Sequence, residues 1–226
     1  KGGDWYDGGI WLNMHTHEFT STNGPLNGAW GQQYSAIGAC NTALAQGDLD
    51  ANQTAQVRAL RAFFYYRLLD MYGRVKIVTT PGSDAPQSTR AAVYSFVESE
   101  LVASLGISSV SGGMDLSSSP LGTSRDAYRI NQYAALGLLS KLYLNAEVYT
   151  GTARYADALT YTNSVISQGF SVDTALGYPA LFLADNDSNG AQNEFIWTIN
   201  FDGDNTQTFG GTTFLSHAAV GGTIMD

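Results

Sequence analysis

The sequence is short of charge, of cysteine and of long apolar runs, and each shortage excludes a class of protein. Only 14% of its residues are charged, against about 25% in typical soluble domains. The 20 acidic residues outnumber the 11 basic ones, which leaves a net charge of −9. Because phosphate recognition needs clustered Lys and Arg, this balance argues against a nucleic-acid partner. The same sign of charge disfavours adsorption to an anionic lipid surface.

A single cysteine, Cys40, excludes an internal disulfide and a cysteine-based zinc site. Cys40 falls in an apolar helical stretch, where we expect a small buried hydrophobic residue. Asn41, beside it, lies on the apolar stripe, and we expect its amide to tie down a neighbouring loop. No apolar run reaches the length of about 18 residues that a membrane-spanning helix needs. The chain also opens without a signal-peptide pattern, so we expect an interior piece of a longer protein or one whose targeting segment is gone.

Apolar residues recur at spacings of three and four in five segments, and each segment predicts a helix. The predicted helices cover residues 29–46, 53–72, 89–105, 129–148 and 153–168. The last of them carries its predicted apolar stripe at Ala156, Leu159, Asn163 and Ile166.

Two further segments lack this helical period. Residues 1–28 predict an ordered loop, with room for one short strand. Residues 194–201 alternate β-branched and aromatic side chains with polar ones, which predicts a strand.

The fourth and fifth predicted helices resemble a tetratricopeptide-like pair. Tyr133 and Gly137 fit the start of the first repeat helix, and Tyr155 and Ala158 fit the start of the second. The separation is several residues longer than the repeat period of about 34 residues, so any packed helical hairpin stays an equal alternative.

His15 and His17 are the most suggestive metal-ligand pair. On a strand they would share one face, but a catalytic zinc needs a third ligand, and the only other histidine is His217. Asp185–Gly190 matches the start of a calcium loop, yet the loop's last position holds Ile196 where a bidentate Glu is needed. We therefore predict no cofactor and no bound metal, and keep a His-ligated metal hydrolase as a less favoured alternative.

Other catalytic motifs are missing from the sequence. It contains no G-x-S-x-G, no phosphate loop and no dinucleotide fingerprint, so we do not predict an enzyme. Arg58, Arg61 and Tyr65 share one helix face, and we predict structural ion pairs for the two arginines with Asp70 and Glu98.

The N-terminal segment is dense in aromatic residues interleaved with Asn, Asp and His. A pyranose ring stacks its C–H face on an aromatic ring and bonds its hydroxyls to short polar side chains. We therefore predict a glycan site with Trp11 and Phe19 as stacking platforms. Asp7, His17 and Asn23 are the predicted hydroxyl partners. Burial of Trp11 and Phe19 as packing residues is the open alternative.

Several stretches resemble the SusD/RagB family of Bacteroidetes outer-membrane glycan-binding lipoproteins. Val57–Leu68 resembles the family's Arg-Ala-Phe-x-Tyr helix, and Asp70–Val75 resembles its Tyr-Gly-x-Val-Pro arm, with Lys76 in place of the proline. In chain order, the other similar stretches are Gly3–Gly9, Leu12–Thr20, Asn27–Asn41, Asn131–Ala146 and Glu194–Trp197.

The resemblance implies a mainly α fold of tetratricopeptide-like helical hairpins, with long irregular loops and a minor β element. It implies one SusD-like domain over residues 1–226, incomplete at both ends. The implied function is non-catalytic capture of oligo- or polysaccharides for a SusC-like TonB-dependent transporter. The implied location is the extracellular face of the outer membrane, reached through an N-terminal lipid anchor that this chain does not contain. A tetratricopeptide-type adaptor that binds peptides stays an alternative.

Overall fold

A computed structural model describes residues 7–108, 114–125, 129–183 and 185–200 of the chain. These residues form seven α-helices and three short 3-10 helices, and they contain no β-strand. The 3-10 helices are Asp7–Gly9, Tyr178–Phe182 and Ala191–Glu194. The α-helices are α1 (Ile10–Thr16), α2 (Gly24–Gln46), α3 (Ala51–Tyr72), α4 (Arg90–Leu105), α5 (Gln132–Leu144), α6 (Ala146–Thr150) and α7 (Tyr155–Ile166). The predicted mainly α fold is confirmed.

The chain divides into two compact units. One comprises Lys1–Gln32 and Ile199–Asp226, of which residues 7–32 and 199–200 are described. The other, Gln33–Thr198, contains the helical hairpins. The single domain predicted over residues 1–226 stays a prediction.

Side-chain caps set the starts of the three central helices. Asp50 accepts a hydrogen bond from the Gln53 amide while the Gln53 side chain accepts from Asp50, so α3 begins with a capping box. The α4 and α5 caps are single bonds: the Thr89 hydroxyl oxygen accepts from the Ala92 amide at 3.2 Å, and Asn131 Oδ1 accepts from the Ala134 amide at 2.9 Å.

The core lies between paired helices of the second unit. α3 packs against α4, and α5 packs against α7, while α4 also contacts α5 and α6. Ala59 and Ala62 are fully buried on α3, and residues without long side chains allow a close approach between helices. The largest fully buried side chains are Tyr65, Tyr143, Tyr161, Leu68, Leu101 and Leu139.

The N-terminal loop prediction is wrong for residues 7–16 and 24–28, which are helical. α1 has only seven residues and buries none of them, and a segment of that length is too short to show the apolar period that identifies a helix from sequence. The residues at its two ends, Gly9 with φ 87° and His17 with φ 60°, have the left-handed backbone conformation.

The predicted strand at residues 194–201 is also wrong for its described part, 194–200. A strand needs a hydrogen-bonded partner, and the only bridge among the described residues joins Lys76 to Gln87. The Ile196 carbonyl instead accepts from the Asn131 side chain at 3.1 Å. The predicted minor β element is thus reduced, in the part described, to one isolated bridge.

The helix predicted over residues 129–148 breaks in two at Asn145. The Asn145 side chain donates to the Lys141 carbonyl at 2.9 Å, and such local bonds compete with the helical pattern. Asn145 ends α5 and precedes α6.

α7 buries a different face from the one that its sequence pattern predicted. Ala158, Tyr161 and Val165 are buried, whereas Leu159 and Ile166 of the predicted stripe are 61% and 62% exposed. Helix α7 therefore carries apolar side chains on two faces and packs only one of them within the described structure.

None of the helices in the described ranges combines the length and apolarity needed to cross a bilayer.

Candidate functional site

The predicted glycan-site residues lie on α1 and on the turn that leads to α2. Trp11 projects from α1 and is 43% exposed, and Phe19 lies in the turn and is 47% exposed. His17 ends α1 and is exposed. Asp7 begins the 3-10 helix before α1, and its side chain lies outside the described part of the structure.

Backbone and side-chain hydrogen bonds hold this turn in place. The His17 and Glu18 amides donate to the Met14 and Asn13 carbonyls at 3.4 and 2.8 Å. The Thr16 hydroxyl is 3.2 Å from Glu18 Oε2. The aromatic ring of Phe19 therefore extends from a braced segment, which reduces the entropy lost when a ligand binds.

Asn23 differs from the other predicted site residues because it is buried. Its side chain is at the start of α2, where Oδ1 accepts from the Leu26 amide at 3.1 Å. The Asn23 carbonyl also accepts from the Asn27 amide at 3.0 Å, and the Asn27 side chain donates to the Ser21 carbonyl at 2.9 Å. Asn23 thus fastens the turn to α2, and its contact with a sugar stays a prediction.

The metal-site geometry considered for His15 and His17 depended on a strand, and the strand is not there. His15 lies in the last turn of α1 and His17 is its left-handed cap. The described residues contain no group of three or more His, Cys, Asp or Glu that could hold a metal ion. In the sequence that resembles a calcium loop, Asp185 accepts from Asn189 at 3.2 Å within a turn.

A buried ion pair joins α3 to α4, with a different acid from the one predicted. Arg61 Nε and Nη2 donate to Glu100 Oε2 at 2.8 and 2.6 Å, and Arg58 Nη2 donates to Glu100 Oε1 at 2.8 Å. The predicted partner Glu98 instead pairs with Arg154, and Asp70 accepts from the Tyr149 hydroxyl. The missed signal was Glu100 itself, a carboxylate on the apolar stripe of α4 between Val97 and Leu101.

Arg154 and Glu98 connect α4 to the hairpin of α5 and α7. The guanidinium carbon of Arg154 lies 4.2 Å from the centre of the Tyr143 ring, whose hydroxyl donates to Glu98 at 2.9 Å. Burial and the Glu98 charge raise the pKa of Tyr143 well above its usual range. These contacts tie helices together, as expected for structural ion pairs.

The extended arm after α3, residues 74–78, is held by side chains of the helices in addition to its one bridge, from Lys76 to Gln87. The Tyr34 hydroxyl donates to the Lys76 carbonyl at 2.8 Å and accepts from the Lys76 amide at 2.9 Å. Tyr65 makes the same two bonds with Val78, at 3.0 and 2.7 Å. Asn41 donates to the Val78 carbonyl at 2.9 Å, which confirms that its amide ties down a neighbouring loop.

Comparison with known proteins identifies the family. Residues 5–144 match the model of a SusD-like family described as starch-binding and associating with the outer membrane. The chain belongs to the SusD-like family. The matched region includes α3 with its arginines and the arm after it, the two segments whose sequence resembled the family most specifically.

Relatives of this SusD-like chain include curated and solved proteins. It is 34% identical over 166 residues to the starch-binding protein SusD of Bacteroides thetaiotaomicron, an alignment covering 72% of this chain and 28% of that protein. Surface glycan-binding protein A from Bacteroides uniformis has a TM-score of 0.67 at 24% identity, covering 87% of this chain and 42% of that one. A laminarin-binding SusD-like protein has a TM-score of 0.65 at 24% identity, covering 83% and 41%.

At these identities the solved structures establish the fold alone, which agrees with the tetratricopeptide-like helical hairpins predicted. The match covers 28% of the length of the curated relative and less than half of the two solved ones.

Proposed function

We propose that this SusD-like chain is part of a non-catalytic cell-surface protein that captures oligo- or polysaccharides. The observation that supports this most is the pair of half-exposed aromatic side chains, Trp11 and Phe19, on a braced segment inside the region that matches the family model. Aromatic rings stack on the apolar face of a sugar, and neighbouring polar groups bond its hydroxyls.

The proposed contacts keep the roles given by residue chemistry. Trp11 and Phe19 act as stacking platforms. His17, Asp7 and Asn23 act as hydroxyl partners. The affinity is expected to be modest, since solvated hydrogen bonds contribute little net free energy and association costs entropy.

The proposal extends to location and delivery. The captured glycan passes to a SusC-like TonB-dependent transporter, and the protein sits on the extracellular face of the outer membrane through an N-terminal lipid anchor. The family model's description as outer-membrane-associated supports the location. Co-purification of the transporter with the tagged full-length protein from outer membranes tests the partnership.

A glycan panel tests the capture site. Starch, laminarin and xyloglucan oligosaccharides are titrated into the chain and into Trp11→Ala and Phe19→Ala by isothermal calorimetry. Tyr178→Ala removes an aromatic ring that is 74% exposed in the other unit and serves as the matched control. We expect the first two variants to lose binding and the control to keep it. Unchanged affinity of both site variants for every glycan would refute the assignment, and release of shorter sugars during incubation would refute the non-catalytic role.

A further inference from the structure

A groove between α7 and the loop before α5 is not used by the proposed function. Its volume is about 720 Å³, within the range of about 300–1,000 Å³ typical of ligand pockets. One wall is the hydroxyl face of α7, defined as Thr160, Ser164 and Ser167. The other wall is the loop of residues 114–123, and Gln132 of α5 also lines the groove. All of these residues belong to the Gln33–Thr198 unit.

The hydroxyl face of α7 presents acceptors to the groove. Thr160 Oγ1 donates to the Ala156 carbonyl at 3.0 Å, Ser164 Oγ to the Thr160 carbonyl at 2.9 Å and Ser167 Oγ to the Ser164 carbonyl at 2.9 Å. A hydroxyl has one hydrogen and two lone pairs, so these three oxygens keep acceptor capacity once the hydrogen is committed to the helix. A ligand that matches them must carry several donors in a row.

The loop wall is held by contacts with α3, α4 and α5. Gln132 Nε2 donates to the Leu121 carbonyl at 3.4 Å, and Leu121 is only 1% exposed. The Asn52 side chain donates to the Pro120 carbonyl at 2.6 Å. Pro120 also packs so tightly on the end of α4 that a Cβ at Gly106 would lie 2.8 Å from its Cδ. The groove therefore exists before any ligand enters, which lowers the entropy cost of binding.

One polar atom in the loop wall lacks a protein partner. Ser119 Oγ is buried and has no hydrogen bond within the described structure. A buried hydroxyl without a partner costs free energy, and most such groups in native proteins are satisfied by protein, water or ligand. Because this oxygen has almost no exposed surface, a ligand hydroxyl in the groove reaches it only after the Ser119 side chain changes rotamer.

The residues that line the groove also indicate the charge of the ligand that fits it. No charged side chain lines the groove in the described ranges, while Met114 and Leu116 add apolar surface beside the hydroxyls and amides. A carboxylate, phosphate or ammonium group would lose its hydration there without gaining an ion-pair partner. The fitting ligand is neutral, rich in hydroxyl donors and partly apolar, a description that saccharides meet.

We propose that this groove is a second saccharide-binding site, separate in sequence from the aromatic segment of α1. This proposal goes beyond the proposed function, because the ligand class is inferred from the residues that line the groove. The inference does not depend on Trp11 or Phe19.

The test maps binding by NMR on the ¹⁵N-labelled chain. Maltoheptaose, laminarihexaose and a xyloglucan heptasaccharide are titrated, with an oligogalacturonate of similar length as the anionic comparison. We expect a neutral sugar to shift amides of residues 114–123 and 160–168 and the side-chain amides of Gln132 and Gln168, and the oligogalacturonate to leave them unchanged.

Matched variants assign the shifts to the groove. Ser164→Leu fills the groove and removes an acceptor, whereas Asn163→Leu places the same side chain on the neighbouring exposed position of α7. Ser164→Leu should weaken binding about tenfold or more, the loss expected for about one hydrogen bond, and Asn163→Leu should not. Thr160→Val, which removes an acceptor and keeps the shape of the side chain, provides a second variant if Ser164→Leu alters the circular dichroism spectrum.

The outcomes separate this proposal from the capture site. Loss of the groove shifts in Ser164→Leu, with shifts at residues 10–23 retained, supports the second site. Shifts that are absent from residues 114–123 and 160–168 for every neutral sugar, or that survive both Ser164→Leu and Thr160→Val, overturn it. A wrong assignment of the capture site would give a different result: the affinity for the sugar would not change in Trp11→Ala.

Discussion

The ion pair of Glu100 with Arg58 and Arg61 predicts a large and specific loss of stability when Glu100 is replaced by Gln. The Glu100 and Arg61 side chains are 4% and 8% exposed, so neither charge is screened by water. Removing one partner of a buried pair costs about 3–5 kcal/mol, because the other charge stays buried and uncompensated. Gln keeps one oxygen acceptor for Arg61, which places the expected loss near the lower end, at about 3 kcal/mol.

Urea unfolding followed by circular dichroism measures the difference, with Asp84→Asn as the control. Asp84 pairs with Lys76 at the surface, 2.7 Å between Nζ and Oδ1, and we expect its replacement to leave the unfolding midpoint unchanged. The double variant Arg61→Met, Glu100→Gln should recover part of the loss, since the buried Arg61 charge is then removed together with its partner. Arg58 also loses its carboxylate partner, but its side chain is 37% exposed and water can solvate its charge. A loss for Glu100→Gln no larger than that for Asp84→Asn would refute the reasoning.

Two further predictions come from shifted pKa values. Burial raises the pKa of the Cys40 thiol to about 11. The native protein should therefore resist alkylation by iodoacetamide at pH 8, and the protein unfolded in urea should react. Mass spectrometry measures the labelling, and rapid labelling of the native protein would contradict the burial. Burial also raises the pKa of Tyr34 and of Tyr161 from 10.0 to about 12, so their contribution to stability is fully present below pH 10 and is lost as the pH rises from 10 to 12. Urea midpoints should fall over that range, less so in Tyr34→Phe than in the parent, and a flat profile would disprove the shift.

The sequence predicted correctly those helices in which the apolar period and the capping residues match the face that is buried. α3 and α4 have apolar periods and capping residues, and their bounds differ from the predicted ones by two residues or fewer. α1 could not be found in this way because it is only seven residues long and has no side-chain cap, so the sequence offers too few residues to show a period. The strand at residues 194–200 failed for a different reason: its alternation is real, but no partner segment lies beside it in the described structure.

The candidate site shows the same division. Trp11 and Phe19 are half-exposed, as a stacking role requires. Asn23 is buried at the start of α2, where its side chain accepts from the Leu26 amide three residues on; this local contact was missed because α2 was predicted to begin at residue 29. The choice between Glu98 and Glu100 as partner of Arg61 depends on which face of α4 is turned toward α3, which spacing alone did not decide. The groove beside α7 was invisible from sequence, because its walls come from residues 114–123 and 160–168, which only the fold brings together.

The hydrogen bonds of Tyr34 and Tyr65 to the arm determine which substitutions in the arm the structure tolerates. Both hydroxyls bond to main-chain atoms, at residues 76 and 78, so at these two positions the helices hold the arm through its backbone. The arm's own anchor is Val75, which is fully buried. A substitution at position 76 therefore leaves the Tyr34 contact in place as long as the new residue has a backbone N–H. Lys76 stands where the family pattern has proline. Its amide gives Tyr34 a donor that a proline ring could not supply, so the departure adds a contact to the arm.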